Sequence, residues 1–422
     1  MATATSDALP ILVIGGGIAG LTAANEAAEA GHRVIIVEKE AYLGGRAIRL
    51  GKYFPKLCPP YCGFEINLRR IKQNPDVTVH TLAEVTRIAG GPGAYTVSLR
   101  QEPRYVNQRC TVCNECVAVC PEERADDFNY GLTKTKAIYL PHDMAFPMKF
   151  AVDMAACQGS SCSKCVAACQ YDAIDLAQQA QEKELKVGAI IVATGWRPYD
   201  ASRMDNLGFG THPNIVSNVQ FERMAAESGP TGGKILRPSD GKLPKRVVFV
   251  HCAGSRDENH LPFCSSICCM SSLKEGLLLK EQYPEAEVTD FYIDIRTPGR
   301  YEDFFTTAKA AGIELIKGKV AKIEASTDGN YLVVTAEDAV NGKKVHRVAD
   351  IVVLATGMQP SLAGAMLPGP LEHDDDGFVM TPVSDAGIFP VGCARAPVDV
   401  TTATRDATAA ALHSIHQLVA RS

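Results

Sequence analysis

Eight of the fifteen cysteines in this 422-residue chain lie between residues 110 and 169, in two closely spaced groups. The first group reads Cys110-x2-Cys113-x2-Cys116-x3-Cys120-Pro121, which is the spacing of a bacterial-type iron–sulfur run. The second reads Cys157-x4-Cys162-x2-Cys165-x3-Cys169, with Gln170 in place of the proline. Because thiolates held together on a turn suit iron and sulfide, both groups predict cluster binding.

Two such runs normally exchange their fourth cysteines. We therefore expect one [4Fe–4S] cluster held by Cys110, Cys113, Cys116 and Cys169. A second [4Fe–4S] cluster is then held by Cys120, Cys157, Cys162 and Cys165. The alternative is a pair of structural zinc sites, because zinc also binds C-x2-C pairs.

Composition narrows the class of protein. A net charge of −5 gives no sign of a nucleic-acid partner. An odd number of clustered cysteines argues against a disulfide framework and predicts reduced thiols in the cytoplasm. The N-terminal region has no basic segment before its apolar run, and no stretch approaches the roughly 18 apolar residues of a membrane span. We therefore expect no direct membrane span and no secretion signal.

Residues 9–38 read as strand, glycine turn, helix, strand and acid. Gly15 permits the tight turn, Gly17 lets the backbone approach a pyrophosphate, and Gly20 lets the helix pack against the strand. The N-terminus of the helix favours binding of the negatively charged diphosphate, and Glu38 is placed to accept a hydrogen bond from a ribose hydroxyl. The predicted dinucleotide-contact residues here are Gly15, Gly17, Ile18, Ala19, Gly20, Glu38 and Lys39.

Further motifs resemble flavoproteins with two dinucleotide-binding domains, and this resemblance implies FAD. Shortly after the acid comes Gly44-Gly45-Arg46. Apolar strands ending in A-T-G occur twice, at Thr194-Gly195 and at Thr356-Gly357. A late strand ends in Gly392-Cys393, where these flavoproteins have glycine and aspartate. All of these residues are predicted to contact FAD.

A second strand–turn–helix unit begins at Lys245–Val250, but no G-x-G-x-x-G follows it. Without those glycines the backbone cannot easily approach a pyrophosphate, so a degenerate nicotinamide site is expected. Four cysteines occur here instead, Cys252, Cys264, Cys268 and Cys269, and they predict a third [4Fe–4S] cluster. The alternative is four buried free thiols. Cys58 and Cys62 could form a redox dithiol or contribute to a cluster, but two buried thiols in a proline-bent loop are the favoured interpretation.

The predicted architecture is an α/β FAD-binding Rossmann-like fold of the two-dinucleotide-binding-domain type, with an inserted two-cluster ferredoxin-like domain. Its expected parts are the first part of the FAD domain (9–103), the ferredoxin-like insert (104–176), the return to the FAD domain (177–200), a connector (201–244), a second Rossmann-like domain with the degenerate site and the third cysteine set (245–348), and the last part of the FAD domain (349–422).

With these pieces placed, the chain resembles the A subunits of heterodisulfide reductases over almost its whole length. The motifs that carry the resemblance are Ala137–Pro141, Phe221-Glu222-Arg223, Gly229–Gly233, Arg237–Gly241 and Cys252-x-Gly-Ser-Arg-Asp257 followed by Phe263-Cys264-Ser and Cys268-Cys269-Met270. In that family the four cysteines of the last motif hold a [4Fe–4S] cluster. The resemblance thus implies the same role for Cys252, Cys264, Cys268 and Cys269.

Within this family, the compact outline is most similar to A subunits of the quinone-interacting membrane-bound oxidoreductase (Qmo) complexes of sulfate reducers. That resemblance implies an electron-transfer protein between menaquinol and adenylylsulfate (APS) reductase in dissimilatory sulfate reduction, with flavin-based confurcation or bifurcation as a further option. The implied partners are APS reductase, a membrane haem subunit and a second flavin and iron–sulfur subunit. The chain would be cytoplasmic and membrane-associated through these partners.

No general acid–base pair or activated nucleophile stands out, so the redox chemistry is assigned to FAD and the clusters. Three alternatives stay open. The first is a bifurcating protein of the heterodisulfide reductase A type in a soluble complex. The second is a stand-alone NAD(P)H-dependent flavoenzyme, against which the missing second glycine motif speaks. The third is a non-enzymatic cluster carrier or scaffold.

Overall fold

The computed structural model describes residues 8–327, 329–382 and 386–420. They form two compact units, each built from separate stretches of the chain. The first unit comprises the described residues up to Ile48, those from Tyr61 to Trp196 and those from Pro360 onwards. The second comprises Arg49–Pro60 and Arg197–Gln359.

The helices are α1 (Ile18–Glu29), α2 (Pro60–Gln73), α3 (Glu115–Val119), α4 (Lys164–Ala168), α5 (Asn218–Ala225), α6 (Cys268–Gln282), α7 (Tyr301–Ala310) and α8 (Val400–Val419). The strands are β1 (Ile11–Ile14), β2 (Val34–Glu38), β3 (Val77–Thr81), β4 (Ala83–Gly91), β5 (Ala94–Gln101), β6 (Glu123–Ala125), β7 (Lys134–Lys136), β8 (Ile138–Tyr139), β9 (Ala151–Val152), β10 (Gln181–Val187), β11 (Ala189–Val192), β12 (Trp196–Pro198), β13 (Ile215–Ser217), β14 (Arg246–Ala253), β15 (Glu287–Tyr292), β16 (Glu314–Lys317), β17 (Val320–Ala325), β18 (Leu332–Asp338), β19 (Lys343–Ala349), β20 (Ile351–Thr356), β21 (Met358–Pro360) and β22 (Ile388–Pro390).

The first unit is organised on a parallel sheet with the strand order β22-β11-β1-β2-β3. Its central strand β1 is wholly apolar and buried, as expected for a parallel strand with both faces covered. The alanine-rich helix α1 packs against α8 and against the sheet, and small side chains allow this close approach. Because the strands are parallel, the carboxyl ends of β1, β2, β11 and β22 lie along one edge.

A three-stranded antiparallel sheet, in the order β10-β5-β4, accompanies it. The cysteine-rich segment leaves this sheet after Gln101 and returns at Gln181, two residues that are direct partners in the β5–β10 register. Buried side chains alternate along β5, so that Tyr95, Val97 and Leu99 pack into the core of the first unit. The segment is therefore anchored at both ends by neighbouring positions of one rigid sheet.

Inside this segment the chain repeats one local conformation. Asn114 precedes α3 and Ser163 precedes α4, and both adopt a left-handed backbone conformation, with φ of 68° and 48°. Each helix buries its second residue, a cysteine, and each is followed by a cysteine in an extended conformation. The two helices contact each other. The two cysteine runs therefore fold as two equivalent halves.

The second unit has its own parallel sheet, with the order β13-β20-β14-β15-β16, and an antiparallel sheet of β17, β18 and β19. The stretch 201–244, which was expected to be a connector, contains β13 and α5. The helix α5 is buried because its inward-facing residues are either apolar, as Phe221 is, or paired with other polar groups. The strand that ends at Thr356 also lies in this sheet, paired with β13 and β14. The chain re-enters the first unit at Pro360, whereas the sequence predicted a return at 349.

Buried charges of the second unit hold the backbone of residues 49–52. Glu222 accepts a hydrogen bond from the Gly51 N–H at 2.9 Å and pairs with Lys274. Lys274 Nζ also donates to the Lys52 carbonyl at 2.9 Å. Arg223, wholly buried, donates to the Arg49 carbonyl at 3.0 Å. We call Glu222, Arg223 and Lys274 the backbone clamp.

Replacing Lys274 tests the clamp. Lys274→Met leaves the Glu222 carboxylate buried without its cation, so we expect a loss of about 3–5 kcal/mol in the free energy of unfolding. The matched control is Lys322→Met, which removes an ion pair with Glu324 between half-exposed side chains. That control should cost less than about 1 kcal/mol. Urea unfolding followed by circular dichroism measures both, and equal midpoints for the two variants would contradict the clamp.

Candidate functional site

Two glycines that follow β1, Gly15 and Gly20, have no room for a side chain. Gly15 has a φ of +107°, and a Cβ there would lie 2.3 Å from the Ala193 carbonyl oxygen. A Cβ on Gly20 would lie 1.9 Å from the Gly15 carbonyl oxygen. The first turn of α1 therefore packs directly on the end of β1, which leaves its N-terminus open toward the edge of the sheet. Ile18 and Ala19 form the first residues of this helix.

Glu38, the last residue of β2, lies buried beside this turn. Its Oε2 accepts a hydrogen bond from the Gly16 N–H at 2.6 Å, and its Oε1 accepts one from the Glu40 N–H at 2.8 Å. Burial outweighs these bonds and raises the pKa of Glu38 to about 7. Lys39 points away, because its ammonium pairs with Glu84 at 2.7 Å on the surface.

The second glycine loop of the sequence packs on the first. The Gly44 N–H donates to the Gly16 carbonyl at 2.8 Å, and a Cβ on Gly45 would lie 2.9 Å from the Gly17 Cα. Arg46 is oriented by a 2.8 Å hydrogen bond from its Nε to the Trp196 carbonyl. These two glycine loops therefore lie side by side at the carboxyl edge of the first sheet.

Two more predicted residue pairs lie at this edge. Thr194 and Gly195 follow β11, and the Thr194 hydroxyl is buried with no hydrogen-bond partner among the described residues. Gly392 and Cys393 follow β22, where Gly392 approaches Ala19 of α1 and Cys393 donates its thiol hydrogen to the Val398 carbonyl. An unpartnered hydroxyl beside open helix amides and a buried acid fits the polar groups of a dinucleotide such as FAD.

Thr356 and Gly357 belong to the second unit, where the Thr356 hydroxyl donates to Asn218 Oδ1 at 3.0 Å. Gly357 packs on Ser255, whose Oγ would lie 2.5 Å from a Cβ at that position. The structure thus brings one A-T-G strand to the glycine turn and uses the other inside the second sheet.

The eight cysteines of the insert line two cavities. One cavity is lined by Cys110, Cys113, Cys116 and Cys169. The other is lined by Cys120, Cys157, Cys162 and Cys165. The fourth cysteine of each run therefore lies with the first three of the other run, which is the grouping that the spacing predicts.

The cavities have the chemistry of cluster sites. Backbone N–H groups already point at sulfur, from Gly159 to Cys157 and from Ala173 to Cys169, both at 3.3 Å. Burial raises the pKa of Cys116 to about 12 and also raises the pKa of Cys165. Such thiols ionise only when a cation compensates their charge, so both cavities fit an iron–sulfur cluster better than free thiolates.

The third cysteine set surrounds the end of β14 in the second unit. Cys252 is on this strand with a φ of +54°, Cys264 is in the following loop, and Cys268 and Cys269 begin α6. Burial, together with the neighbouring thiols, raises the pKa of Cys252 to about 11 and holds that of Cys268 well above its usual range. The four sulfur atoms therefore lie close enough to influence one another.

Two serine hydroxyls join the segment that follows β14 to the loop that carries Cys264. Ser255 Oγ and Ser265 Oγ are 2.7 Å apart and buried, and Ser265 also accepts the Met358 N–H at 2.8 Å. The Ser266 N–H points at the Cys264 sulfur at 3.4 Å. This arrangement fixes the loops at the place where a dinucleotide-binding domain would have its glycine turn.

The sequence pattern did not identify Asp290 of β15, which pairs with His251 at 3.1 Å with both side chains wholly buried. The available signal was a single acid between Val288-Thr289 and Phe291 in the predicted strand. Cys58 and Cys62 are both exposed, so a buried position for these two thiols was a wrong expectation. In the described ranges, no three His, Cys, Asp or Glu side chains converge closely enough for a single metal ion.

No helix among the described residues is both long enough and apolar enough to span a bilayer. The fold is that of known flavoprotein disulfide reductases. Thioredoxin reductase from T. acidophilum superimposes with a TM-score of 0.54 at 12% identity, covering 97% of this chain and 99% of that one. Thioredoxin reductase from Lactococcus lactis gives 0.52 at 14% identity, covering 98% and 99%. These likenesses confirm the predicted two-Rossmann flavoprotein fold.

Sequence comparisons are more specific. Residues 10–58 match the FAD dependent oxidoreductase family. The A subunit of a ferredoxin/F(420)H(2)-dependent CoB–CoM heterodisulfide reductase from Methanosarcina acetivorans is 39% identical over 95% of this chain and 52% of its own length. An iron–sulfur A subunit of CoB–CoM heterodisulfide reductase from Methanopyrus kandleri is 38% identical over 97% and 64%. The corresponding iron–sulfur protein of Methanocaldococcus jannaschii is 39% identical over 95% and 63%.

This chain thus spans about half to two thirds of the length of these curated relatives. The family model and the relatives identify it as an oxidoreductase component of the FAD-dependent class. Over nearly its whole length, this chain is similar in sequence to heterodisulfide reductase A subunits.

Proposed function

We propose that this chain is an FAD- and iron–sulfur-containing electron-transfer subunit of a multi-subunit oxidoreductase. The observation that carries the proposal is the pair of cysteine-lined cavities with exchanged fourth cysteines, in the same unit as the glycine turn and Glu38. FAD exchanges one or two electrons and a [4Fe–4S] cluster exchanges one, so together they can divide or combine electron pairs.

In this proposal the residues of the first unit bind and orient. Gly15, Gly17 and Gly20 let the backbone approach the diphosphate, and the N-terminus of α1 attracts its charge. Glu38 accepts the ribose hydroxyl, and the Thr194 hydroxyl gains a partner. The proposed lining at the same edge of the sheet is completed by Ile18, Ala19, Gly44, Gly45, Arg46, Gly195, Gly392 and Cys393.

The proposed ligands of the clusters fall into three sets. Two sets are the exchanged groups of the insert, around their two cavities. The third set is Cys252, Cys264, Cys268 and Cys269, which takes the position of a nicotinamide-binding turn in the second unit. Lys39, Thr356 and Gly357 are not used, because their polar groups or their space are occupied by other residues of the protein.

The finer proposal takes its partners from the resemblance to Qmo A subunits. Electrons would pass between menaquinol and APS reductase, with a membrane haem subunit on the quinol side and a second flavin and iron–sulfur protein in the same complex. The second candidate is the role that the relatives' names describe, reduction of the CoB–CoM heterodisulfide, here in a soluble complex. Stopped-flow mixing of the dithionite-reduced protein with oxidised APS reductase, and separately with a heterodisulfide reductase B–C subunit pair, distinguishes them by which one reoxidises it.

A stand-alone NAD(P)H-dependent enzyme makes a different prediction. NADH alone, added anaerobically, should not bleach the flavin of this protein at a rate matching turnover. Rapid stoichiometric bleaching would overturn the proposal. A scaffold that only carries clusters would in turn keep its function after removal of FAD.

Exchange of the fourth cysteines is tested by double substitution. The intact protein should hold about twelve iron atoms per FAD, from three clusters of four. Cys110→Ser with Cys169→Ser removes two ligands of the same cluster, so about eight iron atoms should remain. Cys110→Ser with Cys120→Ser removes a ligand from each cluster, and about four should remain.

The measurement is anaerobic iron and sulfide content together with EPR spectra of the reduced protein. Circular dichroism of each variant checks that the first unit is folded. If the second double variant keeps more iron than the first, the fourth cysteines are not exchanged. A wild-type content near eight would remove one of the three proposed clusters.

The raised pKa of Glu38 predicts pH-dependent FAD affinity. Only the carboxylate form of Glu38 can accept hydrogen bonds from both the backbone N–H groups and a ribose hydroxyl. FAD binding should therefore lower the pKa of Glu38 below its value of about 7 in the FAD-free protein. Affinity should then be roughly tenfold weaker at about pH 6 than at about pH 8. Fluorescence titration of the apo-protein with FAD measures this. The dependence of FAD affinity on pH should disappear in Glu38→Gln and remain in Glu84→Gln. The same dependence in the wild type and in both variants would contradict the assignment.

A further inference from the structure

The loop that leads into Gly44-Gly45-Arg46 packs on the cysteine-rich insert. The Leu43 N–H donates to the Phe146 carbonyl at 2.9 Å. The Tyr42 ring makes an edge-on contact with Phe128, with ring centroids 5.8 Å apart. Phe128 and Phe146 both belong to the stretch between the two cysteine runs. This stretch therefore borders the loop to which the FAD contacts are assigned.

Arg46 extends this contact to the proposed FAD site. Its Nη1 donates to the hydroxyl of Tyr130, a residue of the insert, at 3.4 Å, and its Nε donates to the Trp196 carbonyl at 2.8 Å. The guanidinium carbon lies 5.8 Å from the centroid of the Tyr130 ring and 6.0 Å from that of the Trp196 ring, within reach of a cation–π attraction. These contacts engage Nε and Nη1 and leave Nη2 for a bound anion such as a phosphate of FAD.

Tyr130 lies in a tightly hydrogen-bonded turn at the tip of the β6–β7 hairpin. Asp126 organises this turn, because its Oδ1 accepts the Phe128 N–H at 3.0 Å and its Oδ2 accepts Asn129 Nδ2 at 2.8 Å and Thr133 Oγ1 at 3.0 Å. Tyr130 has a φ of 51°, a left-handed conformation that is unfavourable for a residue with a Cβ. Surrounding contacts must hold such a backbone, and it is found where a side chain has a function.

The same hairpin begins beside a proposed cluster ligand. Cys120 is followed by Pro121 and Glu122, and the Glu122 carbonyl accepts the Ala137 N–H at 3.1 Å where the hairpin closes. Glu122 also lines the cavity of the Cys120 set. At roughly 3.3 Å per residue, the three-residue strands place the tip of the hairpin about 10 Å from this end. The hairpin therefore extends from a cluster cavity to Arg46.

We propose that the insert contributes Tyr130 to the FAD site, where it positions the Arg46 guanidinium for the bound cofactor. Tyr130 and the Trp196 carbonyl together restrict the orientations of this cation before FAD arrives, and such preorganisation increases affinity. Tyr130 is a positioning residue, because it acts on FAD through Arg46. The inference rests on the proposed FAD-binding function and adds to it a residue that none of the dinucleotide motifs contains.

The experiment is a fluorescence titration with FAD of the full chain that holds its clusters but no FAD. Tyr130→Leu, which removes the hydroxyl and the ring, should weaken FAD affinity about tenfold, and Tyr130→Phe, which keeps the ring, about threefold. In an Arg46→Met background, Tyr130→Leu should have no further effect, because the side chain that it positions is absent. A residue that only supported the fold would lower the affinity equally in both backgrounds.

Tyr139→Leu is the matched control. It removes another contact between an arginine and a tyrosine of the insert, in which the Arg124 guanidinium carbon lies 4.1 Å from the centroid of the Tyr139 ring. FAD affinity should stay unchanged in this variant, and an equal loss there would overturn the inference. Iron content shows whether each variant keeps its clusters.

The remaining outcomes separate the inference from the proposed function. If the wild-type protein does not bind FAD, both fail. If it binds FAD and Tyr130→Leu binds FAD equally well, or loses the same factor with and without Arg46, only the inference fails. If Tyr130→Leu loses iron, Tyr130→Phe takes its place in the comparison. A loss of affinity confined to the protein that keeps Arg46 then supports the inference, and any other result overturns it.

Discussion

Several of the proposed ligand thiols, among them Cys116, Cys165 and Cys268, are buried, and burial raises the pKa of each because a thiolate loses its hydration inside the protein. A buried thiol of this kind stays protonated unless a cation, such as the iron of a cluster, compensates the charge of the thiolate. The local folds around them suit a bound cluster, since backbone N–H groups point at a sulfur atom in each set. Other contacts hold these sets in place: the paired ends of the insert on β5 and β10, and the hydrogen bond between Ser255 and Ser265.

Much of this arrangement could be predicted from the sequence because the signals are local. A glycine whose Cβ would collide with a carbonyl, as at Gly15 and Gly20, leaves a spacing that can be recognised without a structure. The cysteine runs are similar, and the pairing of each fourth cysteine with the other run is consistent with the observed cavities. The two-Rossmann fold followed from the same short motifs, as the likeness to thioredoxin reductases confirms.

What could not be predicted depends on residues far apart in sequence. Asp290 becomes meaningful only when β15 pairs with β14 and brings its carboxylate to His251. The second A-T-G strand looked equivalent to the first, yet Thr356 bonds to Asn218 of α5, a helix in a stretch that read as a polar connector. Polar composition misled there, because Glu222 and Arg223 are buried by virtue of their partners rather than their hydrophobicity. The backbone clamp gives a physical role to Phe221-Glu222-Arg223, which is one of the motifs that carry the resemblance to heterodisulfide reductases.

The clamp also has a consequence for how the molecule can be taken apart. By holding residues 49–52, it makes Arg49–Pro60 part of the second unit, although the residues on both sides belong to the first. The polypeptide therefore passes from one unit to the other four times, after Ile48, Pro60, Trp196 and Gln359. Neither unit corresponds to a single contiguous fragment, so no one truncation yields either of them whole. Because β22 follows the whole of the second unit in the chain, the first sheet lacks this strand until the second unit has been synthesised.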